Sequence, residues 1–309
     1  MFVIKKQIIK VSKDFQDTRI VYWLKKNYPN FHYFFLCKLI RKGVVKINGR
    51  KCKQDEKLKE NDQIKIPNIL LKTKKTSEQK ISSHLSNLVK SWVVYKNKDV
   101  LVINKPNGIA VQGGSKIKLN IDLLLDSLKY SNFNRPKIVH RLDKDTSGIL
   151  MLARNLETAK YLSLLFKERK ITKLYLAIVY GDLYKSYDRL DSNITYNGKV
   201  HLSETHFWKL KSNNKYSLLL VKPITGRKHQ IRKHLITKKI QILGEKKYIL
   251  YNDESTNDDS LNLHAYYFSY FDSLGKSQSF RAQIPKSFLD NLKKLKIEFD
   301  EKNINLDQY

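Results

Sequence analysis

A chain of 309 residues is long enough for two domains, one of them with a sizeable core. Its 60 Lys and Arg against 29 Asp and Glu leave a formal charge of +31, which favours a phosphate backbone as partner and salt-dependent binding. No membrane span is expected, because no apolar run reaches about 18 residues, and two cysteines, Cys37 and Cys52, are too few for a disulfide framework or a metal cluster and read as reduced thiols.

The opening residues, Met1-Phe2-Val3-Ile4-Lys5-Lys6, lack a long apolar core and a small-residue cleavage site, so no signal peptide is expected and the location is expected to be cytoplasmic. Asp17-Thr18 can cap a helix with apolar positions Ile20, Val21, Trp23 and Leu24, ending near Tyr28-Pro29-Asn30. A second helical stretch, Tyr33 to Lys42, stops at Gly43. Val44-Val45-Lys46-Ile47 and Gln63-Ile64-Lys65-Ile66 alternate as strands do, with Asn48-Gly49 as a hairpin turn. Lys38, Arg41 and Lys42 on the second helix stand beside the turn residues Arg50 and Lys51. That is either a solvated helix face or a basic surface suited to a bent RNA backbone. Only 11 of the 60 basic residues are Arg, so part of the excess can reflect gene composition, but its placement is uneven. Residues 1–80 hold 21 Lys and Arg against 7 Asp and Glu, nearly half of the net charge.

Lys72 to Lys90 reads as a charged linker, helical at most in part, which sets boundaries of 1–71 for a small domain, 72–90 for the linker, 91–300 for a large domain and 301–309 for a tail. Trp92 to Tyr95 and Val100 to Ile103 read as buried strands. Lys105-Pro106-Asn107-Gly108 is a turn and Gly113-Gly114-Ser115 a flexible loop. Ile121 to Leu128 and Leu156 to Lys170 read as amphipathic helices, the second burying Leu162, Leu165 and Phe166. Tyr175 to Val179 and Ser217 to Val221 are strands, and Gly226 opens a basic helix from Arg227 to Lys239. Strands and helices mixed without regular alternation predict an α+β fold with a mixed, mainly antiparallel sheet.

Within this order one run is distinctive. Val139-His140-Arg141-Leu142-Asp143-Lys144-Asp145-Thr146-Ser147-Gly148 sets one carboxylate, Asp143, between a basic residue and a Thr-Ser-Gly turn, directly before the apolar run Ile149 to Ala153. Two extended segments with a polar turn between them would hold Asp143 rigidly at the mouth of a cleft, where a carboxylate can be a nucleophile. Asp143 with Asp145 could instead begin a metal site, but no third acidic ligand lies nearby. His229 and His234, five apart on one helix, are poor metal geometry, so no metal is expected.

Two resemblances add to this reading. "RIVYWLKKNYP", "KLIRKGVVKINGRK" and "NDQIKIP" resemble the alpha-L RNA-binding domain of a ribosomal protein and several RNA-modifying enzymes, with Asn61-Asp62 where that family usually has Gly-Asp. "HRLDKDTSGILMLA", "KLYLAIV" and "KPITGRKHQIRKHL" resemble, in order, three motifs of the RluA family of RNA pseudouridine synthases, and "INKPNGIAVQGGS", "ILGE" and "LNLHAYY" extend the match over roughly residues 91–290. The appended N-terminal domain, the Gly113-Gly114-Ser115 loop and "FKERKITKLYLAIVYG" are most similar to the RluC-type branch, which modifies uridines of large-subunit ribosomal RNA.

The resemblance implies an isomerase without metal or organic cofactor, acting on large-subunit ribosomal RNA as a monomer. It makes Asp143 the catalytic carboxylate, through a covalent adduct or a glycal-like intermediate. Arg232 would pair with Asp143 and keep it ionised, and Tyr175 would stack on the uracil and could help remove the C5 proton. Arg141 would enter the gap left by a flipped base. His140 would touch a phosphate or support the loop, Arg227 would bind phosphate or brace the Asp143 loop, and Lys105 and Lys228 would contact the RNA backbone. Arg41, Lys42 and Arg50 would bind RNA from the small domain. Lys228 and Lys233 replace more neutral residues of the third motif, and Glu245 stands where Asp is usual.

Overall fold

The computed structural model describes residues 7–28, 31, 33–71, 82–113, 119–130, 135–196, 198–250 and 260–309. The chain start, the helix end at Pro29-Asn30, linker residues 72–81 and the loop residues Gly114-Ser115 lie outside them. The chain divides into two compact units, residues 1–81 and 82–309.

In the small unit, strands β1 (Gln7–Lys10), β2 (Lys46–Ile47), β3 (Arg50–Lys51) and β4 (Gln63–Ile66) form an antiparallel sheet in the order β1-β4-β2-β3. Helices α1 (Ile20–Asn27) and α2 (Tyr33–Arg41) bury Ile20, Trp23, Leu24, Leu36 and Ile40 in one core with Ile47, Ile64 and Ile66, and a short α3 (Asn68–Leu71) follows β4. Asp17-Thr18 does not cap α1. The cap position is Arg19, and Thr18 donates its hydroxyl to the Phe15 carbonyl at 2.5 Å while Asp17 sits at φ +61°. Local turn bonding by the short polar side chain wins over capping. Asn48 and Gly49 both have positive φ, +48° and +80°, as a two-residue type I′ hairpin turn demands. Asn61 takes a left-handed φ of +68°, which Asn tolerates almost as Gly does. The Asp62 carboxylate then ties that turn to the hairpin by accepting from Asn48 Nδ2 at 2.8 Å. Arg41, Lys42 and Arg50 are exposed, and Arg50 is ion-paired to Glu56.

The large unit contains α4 (Ser83–Ser91), β5 (Val93–Lys96), β6 (Val100–Lys105), α5 (Ile121–Leu124), β7 (Lys137–Ile138), β8 (Ser147–Ala153) and α6 (Leu156–Glu168). They are followed by β9 (Thr172–Tyr180), β10 (Tyr187–Leu190), β11 (Ile194–Tyr196), β12 (Lys199–His201), β13 (Thr205–Ser212) and β14 (Tyr216–Pro223). Helix α7 (Gln230–Thr237), strands β15 (Leu263–Phe271) and β16 (Ser277–Arg281) and helix α8 (Lys286–Lys294) complete it. The main sheet runs β10-β13-β14-β9-β15-β8-β6-β5, with β16 on β15 and β7 on β8. Among the described residues β15 and β8 pair in parallel and the other pairs are antiparallel, so the fold is α+β with a mixed sheet.

Several elements differ from the expectations. β5 is an edge strand with Val94 and Tyr95 exposed, because its residues have no second sheet neighbour to cover them. Ser82 to Lys90, read as part of a charged and partly helical linker, belongs to the large unit: Ser82 caps α4 through Leu85 N, and Val89 is buried. The expected tail contributes Ile304 and Leu306 to the core, and Tyr266 donates to Glu301 at 2.7 Å. Helix α7 starts at Gln230 rather than Arg227, since His229 before it holds a left-handed φ of +54°. Alternation along β9 sends Leu174, Leu176 and Ile178 into one core with Phe288 and Leu292 of α8. Lys173 and Tyr175 therefore face the opposite side of the sheet, where the cleft lies.

Candidate active site

Asp143 stands on the loop that enters β8, and that loop is clasped from below by the turn after β6. Lys105 is fully buried, and its ammonium donates to the carbonyls of Pro106 and Ile109 at 2.9 Å and of Lys144 at 3.1 Å. Gly108 N donates to the same Lys144 carbonyl at 3.0 Å, and Asn107 Nδ2 donates to the Asp145 carbonyl at 2.6 Å. Thr146 N closes the loop on the Asp143 carbonyl at 3.2 Å. Below the loop, Gly148 has φ +110° and lies against Ala265 of β15, where a Cβ would sit 2.2 Å from the Ala265 carbonyl oxygen. Only glycine fits that approach.

Lys105 is thus no RNA contact. All three ammonium protons are taken by carbonyls, and burial pulls its pKa down to about 7. His140 is also occupied. Its Nε2 accepts from Met151 N at 2.8 Å, its ring stacks on Phe166 at 4.5 Å, and burial with the Lys173 charge pulls its pKa down to about 3. A neutral, stacked imidazole supports the loop and offers a phosphate no charge. Phe166 is only partly buried, because it forms part of the cleft wall over His140.

The segment before α7 is set by a buried glutamine. Gln230 accepts from Thr225 Oγ1 and from Arg227 N, and donates to the Glu204 carbonyl and Thr205 Oγ1, each at 2.9 Å. This leaves Arg227 and Lys228 exposed on the cleft rim and turns His229 toward Asp143, with His229 Nε2 3.7 Å from Asp143 Oδ1. The other His229 nitrogen shares a 2.9 Å hydrogen bond with the Tyr248 hydroxyl. Burial and three neighbouring cations hold the His229 pKa at about 4, so the ring is neutral at pH 7.

Arg232 does not form the expected ion pair with Asp143. It makes a two-pronged pair with Glu245, Nε to Oε2 at 2.6 Å, with both residues buried. Lys247 N and Tyr248 N add bonds to Glu245 Oε1 at 2.8 and 3.2 Å. Glu245 thus occupies the guanidinium fork of Arg232. Arg232 still acts on Asp143 through the field: burial raises the Asp143 carboxyl pKa, Arg232 is the largest opposing influence, Asp145 raises it further, and Lys105 and Lys228 lower it. The net direction is upward, so the environment does not simply favour the charged form.

Asp143, Tyr175, Arg232, Arg141, Arg227 and Lys228 line one cleft of about 840 Å³. Tyr175 is 9% exposed, and burial followed by the Asp143 charge raises its phenol well above the usual range. Its hydroxyl stays protonated, suited to packing and hydrogen bonding. Arg141 is exposed at the rim. The cleft therefore offers a fixed carboxylate, an aromatic wall and a cationic rim, an arrangement able to take a base out of a stacked strand and work on its ribose. His229, Glu245 and Tyr248 complete the site and were not selected from the sequence. The proximity of His229 to the motif arginine was legible, but its approach to Asp143 was not. Among the described residues no cluster of His, Cys, Asp and Glu could hold a metal ion, and no helix is long and apolar enough to cross a membrane.

The family model described as RNA pseudouridylate synthase matches residues 99–237, a span containing Asp143, Tyr175 and Arg232. The chain is 32% identical to a protein of Buchnera aphidicola subsp. Baizongia pistaciae named ribosomal large subunit pseudouridine synthase C, over 85% of this chain and 89% of that protein. A Rickettsia felis protein of the same name is 30% identical over 89% of this chain and 95% of its own. The solved structure of human RNA pseudouridylate synthase domain containing 4 is similar with a TM-score of 0.61 and 26% identity, covering 70% of this chain and 97% of that one. Identity at this level over most of both chains, with the motif residues gathered in one cleft, makes the chain a pseudouridine synthase, a member of the RNA pseudouridylate synthase family.

Proposed function

We propose that the chain isomerises specific uridines of large-subunit ribosomal RNA to pseudouridine, as an enzyme of the RluC-type branch, with Asp143 as its catalytic carboxylate. The observation that carries this reading is Asp143 held by the Lys105 and Asn107 clasp in a cleft shared with Tyr175 and Arg232. The two relatives named above, whose printed names specify the large ribosomal subunit, supply the substrate class.

The reaction breaks the bond between uracil N1 and the ribose, turns the base and joins C5 to the same carbon. Nothing is oxidised or reduced, and the proton lost from C5 is matched by one gained at N1, so no external reagent is needed. A base inside a stack is out of reach, and Arg141 at the rim enters the gap as the uridine turns outward. Tyr175 packs on the uracil. Asp143 then attacks the sugar or base, or assists deprotonation of the ribose. Arg232, braced by Glu245, supplies positive potential beside the carboxylate while remaining fixed in place. With its phenol held protonated, Tyr175 serves by packing and hydrogen bonding rather than as the acceptor of the C5 proton. Lys228 and Arg227 hold phosphate at the rim. The small unit, with Arg41, Lys42 and Arg50 exposed, serves as an alpha-L RNA-binding domain.

A pseudouridine map of large-subunit rRNA with and without this protein tests the substrate. One or more pseudouridines should vanish from that RNA, and losses confined to transfer RNA would overturn the substrate class. Purified Asp143→Asn should make none in vitro; pseudouridine at the wild-type rate would remove Asp143 from its role.

A further inference from the structure

Two lysines of the large unit are withdrawn from solvent close to the cleft, and they differ in their partners. Lys105 has three carbonyls around its ammonium. The side-chain ammonium of Lys173, on β9, makes no hydrogen bond or ion pair among the described residues, although the residue lines the cleft. The charged residue acting on it is another cation, Arg169, which also lines the cleft and sits at φ +61° where α6 ends. Lys167 lines the same wall. Glu168, the acid nearest in sequence, is turned to Lys170 at 2.8 Å. His140 beside Lys173 is neutral. Burial, with Arg169, accordingly pulls the Lys173 pKa down to about 8.

A half-buried ammonium near a guanidinium, with no carboxylate paired to it among the described residues, is an unfavourable arrangement for the empty protein. The register of β9 against β14 and β15 imposes it, since Lys173 shares the cleft face with Tyr175 two residues on. An anion placed between the two cations relieves both the repulsion and the missing hydrogen bonds. A neutral uracil carbonyl would leave the double positive charge uncompensated, whereas a phosphodiester oxygen matches it. Lys173 and Tyr175 are about 7 Å apart along the strand. A nucleotide whose base packs on Tyr175 thus presents a backbone phosphate within reach of the lysine side chain.

We propose that Lys173, with Arg169, forms an anion site in the wall of the cleft that takes a backbone phosphate of the RNA strand beside the target uridine. It is separate from the rim cations Arg227 and Lys228, and it rests on the reading that the cleft accepts an RNA uridine. Its role is to fix where the strand lies when the base enters.

The test uses full-length protein and a single-stranded oligouridylate, with affinity measured over a series of KCl concentrations. Loss of one phosphate contact from a single strand lowers the slope of log affinity against log salt by about 0.7. Lys173→Gln should show that drop and bind about tenfold more weakly at low salt, while Lys173→Arg keeps the wild-type slope. The melting temperature of Lys173→Gln should be unchanged or higher, because a desolvated charge has been removed. An unchanged slope and affinity, with wild-type protein still forming pseudouridine, would overturn the site and leave the enzymatic reading intact. Wild-type protein that forms no pseudouridine in any RNA would overturn the reading instead. Should Lys173→Gln fail to fold, Arg169→Gln carries the same measurement: a lower slope supports the site and an unchanged one removes it.

Discussion

Gly148→Ala should damage the enzyme far more than one added methyl suggests. The new Cβ would lie 2.2 Å from the Ala265 carbonyl oxygen and 2.6 Å from its nitrogen, both of them backbone atoms of the neighbouring strand. Such contacts relax only near about 3.5 Å, so β8 and β15 must part by more than about 1 Å. That separation falls on the two register pairs that join them, Ser147 with His264 and Gly148 with Ala265. Left-handed strain at φ +110° adds roughly 1–3 kcal/mol, and weakening the two ladder bonds adds about 1 kcal/mol each. The expected loss is about 3–5 kcal/mol, a large part of the 5–15 kcal/mol typical of a folded domain. Gly108→Ala is the control, because Gly108 has φ +82° but nothing within 4 Å of a built Cβ. It should cost only the conformational part, about 1 kcal/mol. Urea unfolding gives both numbers from the midpoint and slope. Because Asp143 rides on the same loop, kcat for Gly148→Ala should also fall by about a hundredfold. If Gly148→Ala is within about 1 kcal/mol of Gly108→Ala and keeps its kcat, the close approach of the strands is not what selects glycine there.

Asp143→Asn should lose activity by about a thousandfold or more without losing stability. Burial raises the Asp143 pKa in the folded state, so the native protein holds that proton more tightly, and stability from this group falls as pH rises from the unfolded toward the folded pKa. At neutral pH the neutral Asn should therefore melt at the same or a higher temperature; a drop of several degrees would contradict this sign. Lys228→Gln removes a cation that lowers the Asp143 pKa, so the acid limb of kcat against pH should move to higher pH, and an unmoved limb would show that Lys228 does not act on Asp143. Arg141→Ala should depress turnover more on a uridine embedded in a duplex than on an unpaired one, and equal effects on the two substrates would count against insertion at the flipped base.

Much of this protein could be read locally. The Asn48-Gly49 hairpin, the apolar faces of α1 and α2, the strand after Asp143 and the strand carrying Tyr175 all follow from periodicities of two and 3.6 or from turn chemistry within a few residues. The motif run likewise made Asp143 the candidate carboxylate, because the residues that define it are contiguous. Errors arose where one residue's environment is made by distant segments. β5 reads as buried by its apolar content, yet only the sheet order makes it an edge. Lys105 reads as a surface cation, yet the carbonyl of Lys144, 39 residues away, helps enclose its ammonium. Arg232 has two carboxylates of opposite claim within the site, and packing after α7 gives its fork to Glu245 rather than Asp143. His229 and Lys173 acquire their meaning in the same way, from an approach to Asp143 and from the lack of an acidic partner among the described residues. The amino-acid sequence by itself determined the fold class and the family, and it singled out Asp143 as the candidate carboxylate. Tertiary structure alone decided which charges are paired, buried or left facing the cleft, because burial and pairing depend on register and packing between segments far apart in the chain.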